Sequence, residues 1–141
     1  MIHDFIKDIC DVLNITAPDV SFDISGFQTD TTLAQCSPDG STIYIKESDK
    51  PDLDQFFSIA HELRHIWQIR NNKKLYFADY KPADMCGSLE VYNLQIAEVD
   101  ANAFSYIVMV DCFGVKPLFE GLPDLVRQKI IDRVEYLKST L

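Results

Sequence analysis

Two of the chain's three histidines, His61 and His65, stand four residues apart in "IAHELRHIWQ", with Glu62 directly after the first. No other feature narrows the fold as much. On a helix, side chains four apart lie one turn apart on the same face, so this spacing lets both imidazoles reach one point only if the stretch is helical. The flanking residues agree. "SDKPDLDQFF" opens a helix: Pro51 suits a first turn, and Asp52 with Gln55 suits a capping box. The helix is predicted to run to about Asn71, where "NNKK" breaks the pattern. Phe56, Ile59, Leu63 and Ile66 form its apolar stripe. His61 and His65 fall on roughly the opposite side, so they either face water or are covered by a second element.

This arrangement is H-E-x-x-H, and its spacing suits one piece of chemistry. Two neutral imidazoles hold Zn²⁺, and the ion lowers the pKa of a bound water to about 7. Glu62 is offset by about 100 degrees per residue, near enough to take that water's proton as general base without ligating the ion. The plainer alternative is a pair of solvent-facing histidines on an ordinary amphipathic helix. The complete motif outweighs it.

A catalytic zinc needs a third protein ligand and an open fourth position. His3, the only other histidine, lies far off near the start of another helix. The Gly and His that extend the motif in metzincins are replaced here by Gln68 and Asn71, which excludes that subclass. The third ligand is therefore a carboxylate or a cysteine. "IAEVDANAF", Ile96 to Phe104, places Glu98 and Asp100 in an otherwise apolar helix. Taken alone, Glu98 reads as a solvated surface residue; with a histidine pair in need of a ligand, it becomes the favoured candidate. Asp100 is the fallback, ahead of Cys86 and Cys112. Glu98 and Asn102 share a face, so Asn102 is expected to hydrogen-bond a ligand histidine.

The rest of the chain frames these two helices. Ile2, Phe5, Ile6, Ile9, Val12 and Leu13 recur at helical spacing, and Pro18 ends that segment. "VSFDISGF" alternates like a half-buried strand, and "TTLAQCSPDGSTIYIKE" reads as a hairpin turning at Pro38-Asp39-Gly40. Residues 73–87 read as a loop. Ser88 to about Val110 is a second long helix, with Val91, Leu94, Ala97, Ala101, Phe104 and Val108 on its buried face. A closing helix covers Leu122 to Leu137. Strands and helices segregate along the chain, which predicts an α+β fold: an N-terminal helix, a three-stranded antiparallel sheet, the histidine helix and two further helices. At 141 residues, one domain over 1–141 is expected.

The net charge of −9 makes direct nucleic-acid binding a poor fit, because phosphate contacts need clustered Lys and Arg. Cys10, Cys36, Cys86 and Cys112 include no C-x-x-C pair and read as reduced, mostly buried thiols. "MIHDFIKDICDVLNI" lacks the apolar run of a signal peptide, and nothing approaches the ~20 apolar residues of a membrane span. A cytoplasmic protein is expected.

"AHELRH" followed by "AEVDANAF" resembles the ImmA/IrrE family of gluzincin metallopeptidases, whose members pair H-E-x-x-H with E-x-[E/D]-A-N-x-F on a second helix. The resemblance covers about Thr31 to Val110. It implies a small zincin-like domain with one Zn²⁺ per chain, His61, His65 and Glu98 as ligands, and Glu62 as catalytic base. It also implies a narrow-specificity protease of a bacterium, phage or mobile element, with repressor-like DNA-binding proteins as typical targets. Arg64 stands where the family often has glycine, and "YIVMVDCFGVKP" replaces its usual apolar ending. These departures bear on substrate and regulation more than on the metal ligands.

Three functions compete. In a zinc endopeptidase, the strand Thr42 to Lys46, read as an edge, would bind an extended peptide along Ile43, Tyr44 and Ile45. Tyr76, Tyr80, Tyr92 and Arg64 are all candidate oxyanion donors, and none is singled out. A regulatory protein that seizes a partner without cutting it would use zinc to hold the fold. Structural zinc sites usually close with four protein ligands and favour cysteine, and such a site gives Glu62 no purpose. A metal-dependent hydrolase acting on something other than peptide is the third.

Overall fold

The computed structural model describes residues 1–140. Among the described residues the fold is α+β, with five α-helices and one small sheet. The order is α1 (Ile2–Leu13), β1 (Asp19–Ser21), β2 (Ala34–Cys36), β3 (Thr42–Ile45), α2 (Leu53–Phe77), a 3-10 turn (Ala83–Met85), α3 (Leu89–Asn93), α4 (Ile96–Phe113) and α5 (Asp124–Thr140). The chain packs as two compact units, residues 1–71 and the residues from 72 onward.

In the first unit, α1 buries Phe5, Ile6, Ile9, Cys10 and Leu13. Val12, expected on that face, is exposed instead, and Cys10 fills the stripe. Asn14 closes the helix in the left-handed region at φ 55, a conformation asparagine tolerates. The hairpin forms as predicted: β2 pairs antiparallel with β3 through Ala34↔Ile45, Gln35↔Tyr44 and Cys36↔Ile43. Ser37 Oγ accepts from the amides of Ser41 and Thr42 across the turn. Gly40 takes φ +73 there, the region open to glycine at little cost.

The sheet is not antiparallel throughout, as the sequence reading had it. Its order is β1-β3-β2, and β1 runs parallel to β3 with Val20 opposite Ile43. The reason is connectivity. No tight turn joins β1 to β2, so β1 docks on the far side of β3 and residues 22–33 carry the chain across. Of "VSFDISGF" only Val20 and Ser21 join the strand, after Asp19, and Phe22 and Ile24 are exposed.

Helix α2 lies against this hairpin. Asp52 Oδ1 accepts from the Gln55 amide at 3.0 Å, which is half of the expected capping box. The Gln55 side chain does not complete the box; its Nε2 donates to the Lys46 carbonyl at the end of β3. Further along, Arg70 Nε and Nη2 donate to the Gly40 carbonyl at 3.1 and 2.9 Å, tying the hairpin turn to the helix. Phe56, Ile59, Leu63 and Ile66 are buried, as the stripe predicted. Asn72 leaves helical geometry at φ −157, ψ 63, one residue past the predicted end.

In the second unit, residues expected to form a loop are partly helical. Asn72 Oδ1 accepts from the Leu75 amide and starts a further turn to Phe77. The long helix predicted from Ser88 is two helices. Ser88 caps α3 by accepting from the Val91 amide. Gln95 then adopts extended angles, φ −63 and ψ 143, and becomes the N-cap residue of α4. Val91, expected on the buried face, is exposed; Ala97, Ala101, Phe104 and Val108 are buried. Gly114, at φ 65, ends α4 and donates to the Val110 carbonyl. Helices α4 and α5 pack together. The α5 stripe Val126, Ile130, Val134 and Leu137 is buried at the spacing a helix face requires.

The four cysteines are thiols, but only Cys10 is buried and Cys112 is exposed. Among the described residues no helix is long and apolar enough to cross a membrane.

Candidate metal centre

Helix α2 carries His61, Glu62 and His65, and the hairpin beside it holds Glu62. The two imidazole rings stand nearly perpendicular, 86° apart, with centroids 4.6 Å from one another. His65 is buried. Its Nδ1 lies 2.8 Å from Gln68 Oε1. An amide oxygen can only accept, so Nδ1 carries the hydrogen and Nε2 presents its lone pair. Gln68 is fully buried one helical turn on, where an acceptor fixes both ring orientation and tautomer.

Glu62 sits between the histidines and the sheet. Its Oε1 accepts from the Cys36 amide at 3.1 Å. Its Oε2 lies 3.9 Å from Nε2 of both His61 and His65. The carboxylate therefore borders the point the two lone pairs address, held by a backbone donor that no side-chain substitution short of proline removes. The direction of that donor follows from strand pairing. Ser37 N–H donates to the Thr42 carbonyl and Lys46 N–H to the Leu33 carbonyl. Residues 33, 35 and 37 therefore face β3, and the Cys36 amide points outward.

Helix α4 presents Glu98 from its first turn. With Gln95 as N-cap, Glu98 is the third helical residue, where the helix dipole favours a carboxylate. It is 2% exposed. Tyr80 Oη donates to Glu98 Oε2 at 2.9 Å and lies 3.1 Å from Tyr92 Oη. Burial of the phenol, and next the charge of Glu98, push the Tyr80 pKa far above the ordinary tyrosine range. The hydroxyl stays protonated and remains a donor.

One group of side chains among the described residues has the donors of a metal site. The candidate ligand atoms of His61, His65 and Glu98 all lie within 4.8 Å of one another, a cluster that could hold a metal ion. The donor chemistry fits zinc: two imidazoles and one carboxylate form a ligand set used by catalytic zinc, and leave a position open.

The other candidates lie elsewhere. Asp100 is occupied by Arg133, whose Nη2 and Nε stand 2.8 and 2.9 Å from its Oδ1. Neither Asp100 nor Cys86 nor Cys112 belongs to the cluster. Asn102 is buried on α4, one turn beyond Glu98. His3 packs its ring edge-on to Phe22. Tyr76 Oη accepts from Arg133 Nη2, and the Arg64 guanidinium stacks 3.8 Å over the Trp67 ring. The proposed peptide-binding strand needs correction. β3 is the central strand, bonded on both sides, and Ile43 and Ile45 are fully buried, so Ile43, Tyr44 and Ile45 cannot accept an added strand. The edge whose outward amide reaches Glu62 belongs to β2.

Three contributions were not anticipated from sequence. Gln68 carried a signal, since it lies three residues after His65 on the same helical face. The Cys36 amide carried none, and Tyr80, named as a candidate oxyanion donor, was not linked to Glu98, because each reaches its carboxylate across a gap in sequence. Gln68→Met keeps the volume but removes the acceptor. Its zinc affinity is expected to fall about 10–100-fold, the usual cost of losing a ligand's supporting hydrogen bond. Competition titration against a chromogenic chelator measures this, and unchanged affinity would show that Gln68 does not orient His65.

Comparison of the chain with protein families, curated proteins and solved structures finds no match.

Proposed function

We propose that this chain is a zinc-dependent endopeptidase of narrow specificity, built on a zincin-like plan and akin to the ImmA/IrrE gluzincins. The observation that carries the reading is the convergence of His61, His65 and Glu98 ligand atoms, with the Glu62 carboxylate 3.9 Å from both imidazole Nε2 atoms. His61, His65 and Glu98 would hold the ion, which when bound supplies a Lewis acid that acidifies water and polarises a carbonyl.

The chain's own groups supply the rest. Glu62 accepts the proton of the attacking water and returns it to the departing amine as the peptide C–N bond breaks. The Cys36 amide keeps Oε1 in place, which leaves Oε2 facing the histidines. An extended peptide would lie along the outer edge of β2 rather than on β3, so that strand addition brings a backbone carbonyl alongside Glu62. The partner we favour is a repressor-like regulatory protein, met in the cytoplasm; this part of the proposal rests on the sequence resemblance alone. A site that only held the fold would have no use for a carboxylate fixed at this position, which favours hydrolysis over sequestration.

The test is to mix wild-type and Glu62→Gln proteins with lysate of the native host and compare the products. A protein cut by the wild type and left whole by the variant supports the proposal. A partner bound but uncut by both would replace it with sequestration.

A further inference from the structure

Resting on the metal-site reading above, we infer that Tyr80 is a positioning residue for Glu98: its hydroxyl sets the carboxylate that completes the site, and Gln95 holds Tyr80 there. The segment that carries Tyr80 has little regular structure of its own. The Gln95 side chain clamps it at Lys81. Gln95 Oε1 accepts from the Lys81 amide at 2.8 Å, and Gln95 Nε2 donates to the Lys81 carbonyl at 2.9 Å. This pair of bonds mimics a strand pairing through a side-chain amide. A third contact, Nε2 to the Tyr92 carbonyl at 3.2 Å, anchors the amide to the end of α3.

The same residue breaks the helix. Gln95 stands at the junction of α3 and α4, and its extended backbone makes Glu98 a first-turn residue. One position therefore sets both the placement of Glu98 and that of the hydroxyl that meets it. The Tyr80 ring is packed edge-on to Phe77, with centroids 4.9 Å apart, and the Tyr92 ring centroid lies 6.2 Å from it. The direction of the hydrogen bonds follows from donor count. A phenol has one hydrogen and a carboxylate only accepts. Tyr80 gives its hydrogen to Glu98 Oε2, so Tyr92 must donate to the Tyr80 oxygen. The chain Tyr92 to Tyr80 to Glu98 is polarised toward the carboxylate, which strengthens its last link.

The experiment titrates metal-free protein with Zn²⁺ against a competing chelator, in wild type, Tyr80→Phe, Gln95→Ala and the double variant. Thermal unfolding of the metal-free proteins is measured alongside. Tyr80→Phe is expected to weaken zinc binding about 10–100-fold. Its metal-free form loses one buried hydrogen bond but should remain folded at the titration temperature, since the ring and its packing remain. Gln95→Ala is expected to weaken binding too, and the double variant should lose less than the two single losses combined, because the clamp on Lys81 acts through the Tyr80 hydroxyl. Tyr92→Phe keeps the Tyr80 donor and should stay within about three-fold of wild type. With Co²⁺ as probe, the visible absorption of Tyr80→Phe should differ from wild type, which a change in fold stability alone does not produce. Wild-type zinc affinity in Tyr80→Phe overturns the assignment of Tyr80, and additive losses in the double variant overturn the part given to Gln95 in holding it, while both leave the metal site standing. Absence of zinc binding by the wild type overturns both.

Discussion

Glu62→Gln is expected to keep its metal and its fold and to lose about 10²–10⁴-fold in cleavage rate, the range that general-base catalysis supplies. Glutamine has the same size and keeps an oxygen to accept from the Cys36 amide, so the contact with β2 survives. What it cannot do is take a proton. The variant thus separates two roles that an alanine would confuse, anchoring to the sheet and proton transfer. The measurement is initial rate on the first cleaved partner identified, with zinc content determined on the same sample. Cleavage at the wild-type rate would remove Glu62 from the mechanism.

The second large effect is on stability. Asp100 is 1% exposed and pairs with Arg133, whose side chain is 28% exposed. This pair joins α4 to α5 within their packed face. Removing one partner of a buried pair typically costs about 3–5 kcal/mol, because the other charge remains desolvated. The two partners are unequal here. Arg133→Met removes the Arg133 guanidinium from beside a buried carboxylate, and of the two changes it is expected to cost more. Asp100→Ala leaves a guanidinium that can turn to water, and is expected to cost less, about 2–3 kcal/mol. Denaturant unfolding of both variants gives the comparison. Zinc content should be near wild type in Asp100→Ala at temperatures where it is folded. Equal losses would mean the burial of Asp100 does not govern the pair, and loss of zinc in Asp100→Ala would give it a role at the metal.

How far the sequence led depended on how local the physics was. His61, Glu62 and His65 were singled out because a four-residue spacing puts two side chains on one helix face, and the hairpin because Pro38-Asp39-Gly40 sits between two β-rich runs. The choice of Glu98 over Asp100 was also within reach: the two differ by about 200 degrees around a helix, and only Glu98 joins the histidine cluster. The parallel pairing of β1 with β3 was not within reach. It depends on which edge of the hairpin a distant segment finds, and alternation says nothing of that. Misreading β3 as an edge followed from the same gap and put the peptide on Ile43, Tyr44 and Ile45. The break at Gln95 lacks any glycine or proline. It exists because a side-chain amide two residues after Asn93 bonds the backbone of Lys81, fourteen residues earlier in the chain, which no periodicity records.

The metal site itself is decided by titrating chelator-stripped protein with Zn²⁺, following heat release for wild type and Glu98→Ala. The account predicts saturation of the wild type at about one ion per chain and a strong loss of affinity in Glu98→Ala, as removal of one of three protein ligands demands. Wild-type protein that shows no saturable zinc binding, or Glu98→Ala that binds one ion as tightly as wild type, would contradict it.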